Sequence, residues 1–149
     1  MTTIIILSII GAVISAVIGT FWYSNKTPMG RTHMKYLGFD KLSPEEQNAK
    51  IAEAKPKMPK IYSAQMLLSF LSAFWVVYVM TTSIKNGLPV SYAYTFVLSV
   101  WLCFVVPMVG TGILWGTCDP KIAWKKFFSD IFSNLITLLV IAFLATLFV

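Results

Sequence analysis

Acidic residues are scarce in this chain, six in 149 residues against twelve lysines and arginines, and charged residues together make up 12%. A soluble domain of ordinary composition carries about 25% charged residues. With 57% apolar residues beside that small charged fraction, water is not the main solvent of this chain. Cysteine is nearly absent too. Cys103 lies in an apolar run and Cys118 in a short polar connection, which supports no disulfide framework. His33 is the single histidine, and no cluster of Cys, His and carboxylate stands at metal-ligand spacing, so no metal site is expected. A glycine-rich phosphate loop, a dinucleotide fingerprint and a nucleophile–base pair are missing as well. No cofactor and no catalytic set are therefore implied, and the chain reads as a non-enzyme. Met1-Thr2-Thr3 leads into Ile4 without a basic residue, and no small-x-small cleavage site follows, so the first apolar segment is expected to stay in the mature protein.

What is present is long stretches without charge. The first, 4–23, is about as long as a helix needs to cross a hydrocarbon core of about 30 Å. Runs at 64–84, 90–114 and 127–149 match it, with Asp130 the one charge among them. None shows the ten-residue alternation of a barrel strand, and open backbone groups are too costly in lipid. The expected fold is all-α: one polytopic membrane domain, 1–149, with four transmembrane helices and a basic loop.

That loop, 25–63, holds eight of the twelve basic residues. Gly30 to Leu37, closed by Gly38, is expected to form a short helix. Ser43-Pro44-Glu45-Glu46 has the form of a capping box that opens a second, which Pro56 and Pro59 are expected to end. Both helices are placed along the headgroups, with Met34, Leu37 and Ile51 dipping into the interface. Asn86-Gly87-Leu88-Pro89 makes a tight turn, and Asp119-Pro120 caps the last helix ahead of Trp124 at the interface. Lys121, Lys125 and Lys126 join the first loop's eight, and Lys85 stands alone on the other face. The positive-inside rule then puts loops 25–63 and 115–126 in the cytoplasm and both termini outside, in an inner or plasma membrane. The net charge of +6 is accounted for by topology, and no nucleic acid is implied.

Three features invite a functional reading beside a structural one. Gly11, Ser15 and Gly19 recur every four residues on the first span, a face for close helix packing within the bundle or between copies. Pro107 interrupts the third span and is expected to kink it, as a hinge or as a tolerated irregularity. On the fourth span Asp130, Ser133, Asn134 and Thr137 lie at i, i+3, i+4 and i+7, a polar stripe expected to point inward. Two readings of it stay open: a candidate functional face, or Asp130 paired with Lys126 and Asn134 serving as a link between helices.

Phe21-Trp22-Tyr23-Ser24, then Met29-Gly30-Arg31 and the short helix to Gly38, resembles the Trp-Tyr-Ser-Pro, Phe-Gly-Lys, Trp region of the domain-of-unknown-function family 1761. Phe104-Val105-Val106-Pro107 and the stretch from Trp124 through Ser129-Asp130-Ile131 are similar to that family's late apolar-Pro pattern and its Ile-Asp-x-x-Tyr-His helix. Asn25 stands where the family often has proline, His33 falls close to its usual tryptophan, and Asn134 replaces its usual histidine. The resemblance implies four spans and supplies no reaction. The functions to be weighed are an oligomeric carrier of an ion or small solute, an accessory or assembly subunit of a membrane complex, and, third, a lipid-directed enzyme using Asp130. The expected partners are the bilayer itself, and further copies or other membrane subunits.

Overall fold

The computed structural model describes residues 1–116 and 118–148, which leaves Thr117 of the third connection and Val149 of the fourth predicted span outside the described residues. Helices α1 (Thr2–Trp22), α2 (Pro28–Tyr36), α3 (Pro44–Ala54), α4 (Met58–Lys85), α5 (Val90–Val100), α6 (Val106–Leu114) and α7 (Pro120–Leu147) follow one another, and no strand occurs among the described residues. Four helical stretches are long and apolar enough to cross a membrane, as expected.

Small residues bring the spans together. Ile4, Leu7, Ser8, Gly11 and Ala12 form the buried face of α1, the i, i+3, i+4, i+7, i+8 stripe of one helix side. They meet Ala73, Val77 and Met80 of α4 and Ile141, Ala142 and Ala145 of α7 in one core, which Ala93 and Val97 of α5 complete. A second core gathers Ile113 of α6 with Ala123, Phe127 and Ile131 of α7, and Tyr36 and Trp101 pack against it.

The two cores lie at opposite ends of α7. In the first, a methyl group added at Gly11 would lie 2.8 Å from Ala73 Cβ, so α1 and α4 touch there almost backbone to backbone. Gly19 differs: nothing lies within 4 Å of a Cβ at that position, and the close approach expected along the whole face ends below it. Ser15 between them is half-buried and spends its hydroxyl on the carbonyl of Gly11 at 2.9 Å.

The α-helix that Ser43 opens ends at Ala54, ahead of Pro56, but the helical path does not stop there. The capping box forms as expected, with Ser43 accepting from the Glu46 amide and Glu46 accepting from the Ser43 amide at 2.8 Å. Beyond Ala54 a single 3-10 turn, Lys55–Lys57, leads straight into α4. Ala54, Lys55, Lys57 and Met58 all keep right-handed helical dihedrals. The tighter turn absorbs the hydrogen bond that Pro56 cannot make, and Pro59 sits in the first turn of α4, where its missing N–H is not needed. The helical path from Pro44 to Lys85 is 42 residues, about 63 Å at the helical rise. That is longer than a bilayer with its headgroups, which is about 40–45 Å thick. Ile51 is exposed there, and no residue of α3 is buried.

Just ahead of Pro107 the third span departs from α-helical hydrogen bonding. Trp101–Val105 widens into a π turn, in which the Val106 amide reaches back to the carbonyl of Trp101, five residues earlier. This extra residue per turn makes room for the proline ring, which sits in the first turn of α6. It also sets Trp101, whose indole N–H donates to the carbonyl of Ile131 on α7 at 2.9 Å.

Candidate functional site

The N-terminal part of α7 carries the one polar constellation among the described residues that involves three helices. Asp119 accepts from the Lys121 amide at 2.8 Å and Pro120 starts the helix, so α7 begins about two turns before its apolar stretch. Two turns on, Lys126 and Asp130 stand four residues apart on the side that faces the bundle and form an ion pair. Lys126 is 8% exposed and Asp130 14%, so neither charge is effectively solvated.

The last turn of α1 supplies the other half. Tyr23 donates its hydroxyl to Asp130 Oδ1 at 2.7 Å, and neighbouring Trp22 donates its indole N–H to Ser129 Oγ at 3.0 Å. Lys126 Nζ lies 5.1 Å from the centre of the Tyr23 ring and 5.9 Å from that of Tyr36, on α2. Two aromatic faces and one carboxylate thus replace the water that the ammonium lost.

Getting α2 into place requires a sharp corner. Thr27 caps it by accepting from the Gly30 amide at 2.9 Å, and its hydroxyl bonds back to the carbonyl of Trp22 at 2.7 Å. Gly30 then passes so close to Ser24 that an added Cβ would fall 1.9 Å from its carbonyl oxygen. Only glycine fits this approach. The corner turns Tyr36 onto the second core, and brings the His33 ring to 5.1 Å from that of Tyr23. Burial lowers the His33 pKa from its ordinary 6.5, and the charge of Lys126 acts in the same direction against the weaker pull of Asp130. His33 is accordingly neutral near pH 7, and its Nδ1 is buried without a hydrogen-bond partner.

The predicted stripe on α7 splits. Asp130 faces the bundle, Ser133 is buried, and Thr137 is half-buried with its hydroxyl on the carbonyl of Ser133 at 2.9 Å. Asn134 is exposed and donates to the carbonyl of Asp130 on its own helix at 2.8 Å, so it neither points inward nor links two helices. Relative to Asp130, Ser133 lies about 60° to one side and Asn134 about 40° to the other, and the edge of the packed face runs between Asp130 and Asn134. Trp22, Tyr23, Thr27 and Tyr36, the clasp's other members, were not singled out by spacing. The aromatic pair at the end of α1 was legible as part of a motif, but its partner 107 residues away was not.

A bundle of four membrane-spanning helices joined at one end by a buried Lys–Asp–Tyr clasp is the class that fold and site define. The family model described as "Protein of unknown function (DUF1761)" matches residues 6–146, and the chain belongs to that family. No curated protein and no solved structure matches the chain.

Proposed function

We propose that this chain is a non-enzymatic subunit of a membrane assembly. The observation that supports this best is the engagement of both carboxylate oxygens of Asp130. One carboxylate oxygen takes Lys126 and the other takes Tyr23, so the acid that would have to hold an ion in transit is committed to joining α1 to α7. Surfaces for partners remain on the outside. Residues 61–68 of α4 are exposed all round, with Ile61, Tyr62, Leu67 and Leu68 among them, and Gly19 leaves room for another helix to approach.

The second reading is an oligomeric carrier of a small solute or ion. The grouping of Lys126, Asp130 and the unpartnered His33 Nδ1 within one buried patch favours it. Four helices rarely enclose a path by themselves, so this reading calls for at least a second copy. Purification from native membranes at endogenous abundance separates the two. A stable larger complex that dissociates in Gly19→Leu, with the monomer fold intact, is the result expected of a subunit. A lone homo-oligomer would shift the assignment to the carrier.

The distribution of basic residues supports an orientation with both termini outside and loops 25–63 and 115–126 in the cytoplasm of an inner or plasma membrane. Contacts of α2 with α7 bring the two basic loops to one end of the bundle. A cysteine replacing Lys50, in a background without Cys103 and Cys118, should stay unlabelled by impermeant thiol reagents in intact cells. Ready labelling would invert the topology.

A further inference from the structure

An open groove of about 500 Å³ runs along the outside of the clasp, between α2 and α7. Its α7 wall is Lys125, Phe128, Phe132 and Ile136, spaced by three, four and four residues and therefore a single ridge down one helix side. Met29 and Thr32 of α2 form the facing wall. The floor is Trp22 and Ser129, where the indole N–H is spent on the serine oxygen, so what the floor offers a ligand is chiefly apolar surface. Phe128 and Phe132 are each about half exposed, and none of the described residues fills the space between them and α2.

We infer that this groove binds one anionic glycerophospholipid, with an acyl chain along Phe128, Phe132 and Ile136 and the phosphate at Lys125. Length and charge point to this occupant. From Lys125 to Ile136 is eleven residues, about 16 Å along the helix, which is close to the depth of one leaflet of a hydrocarbon core about 30 Å thick. The charged end and the apolar end of the groove are thus as far apart as a headgroup and the bilayer midplane. Further basic residues stand at the charged end. Lys121 precedes Lys125 by one turn on α7, and Lys35 follows Thr32 by one turn on α2, both exposed. The end of α2 reaches this level because Tyr36 packs against the core that Ala123, Phe127 and Ile131 of α7 form with Ile113. Of the neighbouring acids, Asp130 is already paired with Lys126, and the basic residues Lys121, Lys125 and Lys35 outnumber the remaining Asp119.

The inference rests on the four helices crossing a bilayer, and not on the chain having a protein partner. It is tested on the purified protein alone, so its outcome is independent of the assembly experiment. In native mass spectrometry of the detergent-solubilised chain, phosphatidylglycerol should be retained at one molecule per chain, at least about fivefold more tightly than phosphatidylcholine with the same acyl chains, since one basic residue at a membrane surface is worth about that factor. Lys125→Gln should weaken phosphatidylglycerol about fivefold and leave phosphatidylcholine unchanged. Ile136→Trp, which fills the apolar end, should weaken both. Equal retention of the two lipids by the wild-type chain would overturn the inference, and that comparison needs no variant to fold. Undiminished phosphatidylglycerol binding in both variants would overturn it too, as would displacement of the lipid by inorganic phosphate, which would make the site one for free anions.

Discussion

Asp130→Asn is expected to destabilise the detergent-solubilised protein by about 3–5 kcal/mol, the range found when one partner of a buried ion pair is removed. Spacing alone suggests a much smaller effect, because an i,i+4 pair on a solvated helix face is worth under about 1 kcal/mol. Burial decides between the two. With both side chains largely out of contact with solvent, the substitution leaves the Lys126 ammonium without its counter-charge beneath Tyr23 and Tyr36, and the Tyr23 hydroxyl without a carboxylate acceptor. Removing both charges should restore most of the loss. Lys126→Met combined with Asp130→Leu replaces the pair by apolar groups of similar size, an exchange often neutral in folded proteins. Denaturant titration of the two single variants and the double variant gives the coupling energy directly. A loss in Asp130→Asn of no more than about 1 kcal/mol would mean that the pair is solvated after all. The same three variants separate scaffold from carrier in cells. A phenotype lost in the single variants and regained in the double variant belongs to the clasp, whereas one lost in all three requires the charge itself.

Gly30→Ala should cost at least about 3 kcal/mol, beyond most overpacking substitutions. The reason is what the new methyl group would meet. Ser24 oxygen, Ser24 carbonyl carbon and Tyr23 oxygen would lie 1.9, 2.5 and 2.7 Å away, all of them backbone atoms that cannot rotate aside. Relieving the overlap has to open the corner between α1 and α2, which moves Tyr36 and His33 away from the clasp and collapses the groove wall formed by Met29 and Thr32. Gly112→Ala is the control, because a Cβ there meets nothing within 4 Å. Thermal unfolding and limited proteolysis of loop 25–63 should distinguish the two, with faster cleavage in Gly30→Ala. Equal stability of both variants would show that the corner yields at little cost.

Local signals in the chain were reliable wherever local chemistry decides the outcome. The capping box at Ser43, the Asp119-Pro120 start of α7 and the turns at Gly38 and Gly87, both at positive φ, all stand where their residues indicate. Pro56 and Pro59 are the exception. A proline excludes one hydrogen bond and one geometry but does not say whether the chain will reverse or tighten, and here a 3-10 turn was enough to carry the helix on. The polar stripe on α7 was read one residue too wide. Helical periodicity places side chains around an axis to within tens of degrees, while the boundary of a packed face is drawn by the neighbouring helices.

By itself, then, the sequence determined that the chain is helical with four stretches able to span a membrane, and where several helices start, because each depends on the charge, the apolar length and the capping chemistry of adjacent residues. It also identified Asp130 as the acid to explain and Lys126 as a partner within reach. Tertiary structure alone decided that the pair is buried, that Tyr23 completes it from 107 residues away, and that Gly11 packs while Gly19 does not. Those outcomes depend on which surfaces meet when α1, α2 and α7 close on one another, and no spacing within a single helix carries that information.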